Sequence, residues 1–142
     1  MKIMAVDFGE SRTGLAVCDP TELLASPAGT IFEKNTEKTL EKIAAAAQEN
    51  GAQMVVVGHP LNMDGSRGGR AQRCRDVAER LTQMLEVPVV LWDERATTKT
   101  ALSILGENRT YGKKRKQVLD SVAATVILES YLAFRKNNPE ED

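Results

Sequence analysis

The sequence predicts an α/β sandwich built on a mixed sheet with helices on both faces, and three observations carry that prediction. Two short apolar, β-prone runs joined by a Gly-containing turn open the chain as a hairpin, Lys2–Phe8 and Arg12–Cys18. Two amphipathic helical patterns follow, and each leads into or out of a continuous apolar run, "QMVVVG" and "VPVVLW". Runs of that kind suit strands covered on both faces, as β-α-β pairing produces.

Each element has its own local reason. A third, short strand is expected over Gly29–Phe32. Asn35 is a helix N-cap, Glu37 and Glu41 fall in the early turns, and Gly51 ends the pattern. Leu40, Ile43, Ala44 and Ala47 share one face of that helix, which marks it as core-facing. The second helix is expected over Gly68–Glu86, with Cys74, Val77, Ala78, Leu81 and Leu85 inward. Thr97–Leu105 reads as a short helix, Gly106–Lys116 as an exposed basic loop, and Gln117–Lys136 as the last helix. That helix is apolar on several sides around Val118–Leu128, so it should pack deep against the sheet. Residues 1–138 read as one domain and 139–142 as a disordered tail.

Composition narrows the functional classes. No segment approaches the roughly 20 apolar residues that span a bilayer, and the first apolar run is too short for a signal peptide. Cys18 and Cys74 lie in apolar segments without metal-type spacing, so they read as buried free thiols, consistent with a cytoplasmic protein. The net charge of −1 hides an asymmetry: residues 1–66 sum to −4, residues 67–118 to +6 and residues 119–142 to −3. The basic third holds Arg67, Arg70, Arg73, Arg75 and Arg80, then Lys113, Lys114, Arg115 and Lys116. Such a patch attracts phosphate, and it also suits a solvated helix face with a basic loop. Only 4% of residues are aromatic, and Trp92 reads as core, which argues against a base-stacking platform.

Three carboxylates stand where ligands gather in such sheets, beyond the carboxyl ends of parallel strands. Asp7 ends the first strand, Glu94 in "WDERATT" ends the strand after the second helix, and Asp120 opens the last helix. The helical neighbours of Asp120 are Ala123, Ala124 and Ile127, which puts it on the sheet-facing side. Converging carboxylates repel unless they are protonated or bridged by a cation. An all-oxygen set points to magnesium or manganese, and two such ions about 4 Å apart serve phosphodiester displacement. Each acid also has a plainer reading: a turn acceptor at Asp7, a surface pair with Arg95 at Glu94, and a helix N-terminal acid at Asp120. His59, the only histidine, follows a buried strand and reads as structural. "PLNMDGSRGGRAQR" offers a Gly- and Arg-rich helix start that could hold a phosphate through Arg67 and Arg70. Arg12, Arg95 and Lys99 are further candidates for phosphate contact.

"AVDFGESRTGLAVCDP", "VVVGHPLNMDGSRGGRAQ", "DERATT" and "LDSVAATVILESYL" together resemble the YqgF family, also called RuvX, in order and over almost the whole chain. The resemblance implies a ribonuclease H-like fold related to RuvC. It also implies a metal-dependent cytoplasmic nuclease acting in 5′ maturation of pre-16S rRNA, with the acidic trio on Asp7, Glu94 and Asp120. The chain departs from the family pattern at His59 (usually Leu), Ser11 (often Lys) and Ala96 (usually Leu), none of them in the trio. Structured RNA is therefore the expected partner, with branched DNA as the alternative and no membrane; a monomer or weak homodimer is expected. Rival readings are a nucleotide-binding module, because "DFGESRTG" resembles the phosphate loop of actin-like ATPases, and a non-catalytic RNA-binding assembly factor.

Overall fold

The structure is a computed structural model and describes residues 1–60, 68–94 and 112–138, with the stretch 112–121 as backbone only. Its strands are β1 (Ile3–Asp7), β2 (Arg12–Cys18), β3 (Ala25–Phe32), β4 (Met54–His59) and β5 (Val89–Asp93). The helices are α1 (Thr36–Glu49), α2 (Gly69–Met84) and α3 (Gly112–Asn137). The strands form one sheet in the order β3-β2-β1-β4-β5, antiparallel on the hairpin side and parallel from β1 through β4 to β5. This is the mixed α/β arrangement that the hairpin and the two apolar runs imply.

Strand alternation divides the core into two layers. Met4, Val6, Val55 and Val57 face α1 and α2, where they meet Leu40, Ile43, Cys74, Val77 and Leu81. Ile3, Ala5, Met54 and Val56 face α3, where they meet Ala124, Ile127, Leu128, Tyr131 and Leu132. β4 is buried along its whole length because helices cover both of its faces. Trp92 packs edge-on to Tyr131 at 5.4 Å and donates its indole N–H to Ser130 Oγ at 3.1 Å. Cys18 and Cys74 are both free and buried. No helix among the described residues is long and apolar enough to cross a membrane.

Local chemistry explains the element boundaries. Asn35 Oδ1 accepts the Lys38 N–H at 3.0 Å, the expected N-cap of α1, and Gly51 takes φ +64° just past its end. β3 begins at Ala25, earlier than the expected Gly29. Pro27 and Gly29 conceal it in the sequence, yet both are tolerated on an edge strand, where the register shifts at Leu15/Ala16. A second correction concerns the basic run. Residues 113–116 belong to α3, which begins at Gly112, and not to a loop. Lys and Arg are good helix formers and no Gly or Pro interrupts Lys113–Asn137, so propensity outweighs the unfavourable placement of cations at a helix N-terminus. The expected helix Thr97–Leu105 and the tail 139–142 lie outside the described residues.

The end of α3 is anchored by a buried arginine. Arg135 Nε donates to Glu22 Oε1 at 2.7 Å, and the N-terminal ammonium donates to Glu22 Oε2 at 2.9 Å. Arg135 holds the Glu22 carboxyl below its ordinary range, and burial opposes the shift. A depressed carboxylate stabilises the fold above its unfolded pKa and loses that contribution as pH falls through its folded one. Arg135→Ala should therefore cost about 1.5–3 kcal/mol at neutral pH, the range for hydrogen bonds to a charged partner. The difference from wild type should shrink in acid; urea unfolding at neutral pH and near pH ~3 checks both.

Candidate active site at the carboxyl ends of the parallel strands

β1, β4 and β5 end side by side, and their register determines which residues meet. Val6 pairs with Val57 and Gly58 with Trp92, so Asp7, Gly58 and Trp92 fall in one row, and Glu94 lies two residues past it. By strand alternation Asp7 continues the Ile3–Ala5 face, Gly58 the Met54–Val56 face and Glu94 the Trp92 face. All of these belong to the side covered by α3.

Gly58 allows the acids to approach. A Cβ at that position would lie 2.8 Å from Ile127 Cδ1, 3.0 Å from Glu94 Oε2 and 3.1 Å from Glu94 Cδ. The Glu94 carboxyl thus lies directly over the bare backbone of β4, between Asp7's strand and its own. Its Oε2 is sealed from solvent. Burial pushes the Glu94 carboxyl up to about 7; the Asp7 charge adds to the rise, Arg70 opposes it and Asp93 adds to it. An acid that is both desolvated and beside a second acid has the environment of a functional group.

Asp7 is mostly covered, with 12% of its side chain exposed, and Arg70 Nη2 lies 3.1 Å from its Oδ1. Arg70 comes from the first turn of α2 and also reaches the Phe8 carbonyl at 3.5 Å. A cleft of about 190 Å³ opens here, lined by Asp7, Gly9, Glu10, Ser11, Arg12 and Arg70. Gly9 is required in this turn, since a Cβ would collide with the Arg12 carbonyl oxygen. Beneath the site, burial pushes the Cys74 thiol up to about 12, and the Glu94 and Asp7 charges also raise it. That thiol is no nucleophile at neutral pH.

The structure thus brings Asp7, Glu94, Arg12 and Arg70 of the expected site residues to one end of the sheet. Asp120 lies in α3, two turns before Ile127, with its side chain outside the described residues. Lys113, Lys114, Arg115 and Lys116 occupy the first turns of that helix. Arg67, Arg95 and Lys99 lie outside the described residues. Among the described residues no set of three His, Cys, Asp or Glu side chains lies together as a metal site. His59 is buried at the end of β4, paired in register with Asp93. Gly58 is the residue that sequence reasoning misses. A signal for it exists, because a glycine interrupting the β-branched run "VVVGH" marks close approach.

Sheet order, helices on both faces and paired carboxylates at the ends of parallel strands define a ribonuclease H-like protein. The chain belongs to the RuvX family: the family model described as "RuvX: Holliday junction resolvase" matches residues 1–134. It is accordingly a nuclease, an enzyme that hydrolyses phosphodiester bonds. A relative from Halothermothrix orenii, named as a candidate pre-16S rRNA nuclease, is 40% identical over 135 residues, covering 95% of this chain and 96% of its own. One of the same name from Syntrophus aciditrophicus is 37% identical over 132 residues, covering 93% and 88%. Among solved structures, RuvC of T. thermophilus in complex with a Holliday junction substrate superposes with TM-score 0.58 at 15% identity, over 94% of this chain and 96% of that one. The yeast mitochondrial Holliday junction resolvase Ydc2 does so with TM-score 0.56 at 9% identity, over 98% and 82%. At these identities the superpositions show the fold alone.

Proposed function

We propose that this chain is a metal-dependent endonuclease that cuts structured RNA in 5′ maturation of pre-16S rRNA, with Asp7, Glu94 and Asp120 as its metal ligands. The observation that carries the reading is the Glu94 carboxyl, buried over Gly58 and raised to about 7 beside Asp7. A buried carboxyl that a second acid's charge pushes up further suits a hard divalent cation such as magnesium or manganese. Asp120 fits as the third ligand because seven residues, about two turns, separate it from Ile127, which packs on Gly58. Bound there, one or two such ions would supply Lewis-acid charge at the phosphate oxygens.

The chain's own residues supply the rest. Asp7 and Glu94 fix the position of the charge, and Gly58 and Ile127 keep water from the inner side of the carboxylates. Arg12 and Arg70 line the adjoining cleft and hold the phosphate of the nucleic acid there; Arg67, Arg95 and Lys99 are proposed to extend that contact. The RNA assignment is supported by relatives at 33–40% identity, all named for pre-16S rRNA. Branched DNA is the second reading, favoured by the family model's description. Symmetric resolution of a junction would need a dimer, whereas RNA cleavage is open to a monomer. The buried free thiols fit a reducing cytoplasm. Incubation of a precursor 16S rRNA fragment and, separately, a four-way DNA junction with manganese tests the assignment, with Asp7→Asn as control. Cleavage of the RNA alone, lost in the control, is expected; cleavage of the junction alone would move the assignment to DNA.

Residues 113–116 supply further positive charge to the nucleic-acid backbone from the start of α3. Replacing Lys113, Lys114, Arg115 and Lys116 with Ala should weaken RNA binding and lower its salt slope by about 0.7–0.9 for every phosphate that is no longer neutralised. The helix should persist, because Ala has the highest helix propensity. Binding titrations across a salt series and far-UV circular dichroism measure the two effects.

A further inference from the structure

Arg70 bears a relation to Asp7 that a phosphate-binding role alone does not explain. Among the described residues, both of its hydrogen bonds use Nη2, which bridges Asp7 Oδ1 at 3.1 Å and the Phe8 carbonyl at 3.5 Å. Asp7 is almost covered, whereas Arg70 is about half exposed. The guanidinium therefore closes the carboxylate from the solvent side, at the wall of the cleft it shares with Ser11 and Arg12. A divalent cation on Asp7 and a guanidinium on the same carboxylate would meet as like charges at short range.

We propose that Arg70 is a placeholder cation. It neutralises Asp7 in the substrate-free protein, yields that carboxylate when a divalent ion takes it, and then turns its planar fork onto the phosphate in the cleft. The inference rests on Asp7 being a metal ligand, as proposed above. Two physical features suit Arg70 to the exchange. A half-exposed ion pair is weak, so displacing it costs about fivefold in metal affinity or less. Arginine presents five donors in a fork that matches phosphate, so the released group has a second partner of the right geometry. The cleft volume of about 190 Å³ leaves space for that turn.

The exchange has a signature that a merely structural ion pair lacks: removing Arg70 should improve metal binding and impair cleavage. Manganese affinity is measured without nucleic acid, from the free-ion electron paramagnetic resonance signal, on wild type, Arg70→Gln, Arg70→Lys and Asp7→Asn. Cleavage is measured separately under single-turnover conditions at saturating manganese. Arg70→Gln should bind manganese about three- to fivefold more tightly than wild type, yet cleave about 10- to 100-fold more slowly. Arg70→Lys should restore the wild-type manganese affinity, since it restores the competing charge, and recover only part of the rate. If Asp7→Asn loses manganese but Arg70→Gln binds it no more tightly than wild type, the metal site stands and the exchange is overturned. Tighter manganese binding with unchanged cleavage would overturn it as well, by removing the phosphate role. If Asp7→Asn binds manganese like wild type, the metal-site reading fails and this inference fails with it.

Discussion

Asp7→Asn, Glu94→Gln and Asp120→Asn should each slow cleavage by about three orders of magnitude, and the double variants should lose little more. A metal site is a unit. Removing one ligand withdraws several kcal/mol of charge stabilisation from the transition state, and about 4 kcal/mol corresponds to a factor of ~10³. Once the unit is broken, a second lesion has little left to remove, so the effects are far from additive. Nucleic-acid binding should survive in all three, because the expected phosphate partners are Arg12, Arg70 and the start of α3. Single-turnover cleavage measured beside binding titrations separates the two. Mild losses that multiply independently would mean that the three acids do not share one ion.

Much of this site is legible in the sequence because strand ends are legible. Asp7 terminates an apolar run, and Glu94 falls two residues past the last apolar residue of another, so parallel neighbours bring them to one edge. What the sequence does not reveal is how close they come. That depends on Gly58 on the strand between them, where the absent Cβ lets Glu94 lie against β4. A one-dimensional pattern shows the glycine but not the acid above it. The Arg70–Asp7 pair is similarly hidden, since 63 positions separate its partners. β3 and the start of α3 are obscured for the opposite reason. Their local composition reads as loop, while edge position in one case and helix propensity in the other decide the structure.

The Glu94 carboxyl should also make the metal-free protein less stable as pH rises. The group ordinarily titrates near 4.5 and is pushed up to about 7 in the fold, first by burial and then by Asp7. Between those values the folded state holds a proton that the unfolded chain has released, so stability falls with rising pH through this window. The gap corresponds to an upper value of roughly 3 kcal/mol. Glu94→Gln cannot ionise, so it should match wild type near pH ~5 and exceed it by about 2 kcal/mol near pH ~8, with its own buried amide taking up part of the gain. Manganese should act in the opposite sense. A ligand that binds only the folded state adds about 2.7 kcal/mol at one hundred times its Kd. Its affinity rises as the carboxyl loses its proton. Manganese should therefore restore at pH ~8 what ionisation removes, give little at pH ~5, and leave Glu94→Gln almost unaffected. Urea unfolding of both proteins at the two pH values, with manganese and with a chelator, reads all four combinations. A wild-type protein equally stable at both pH values without metal, and equally stabilised by manganese at both, would show that Glu94 is not the buried acid on which the site depends.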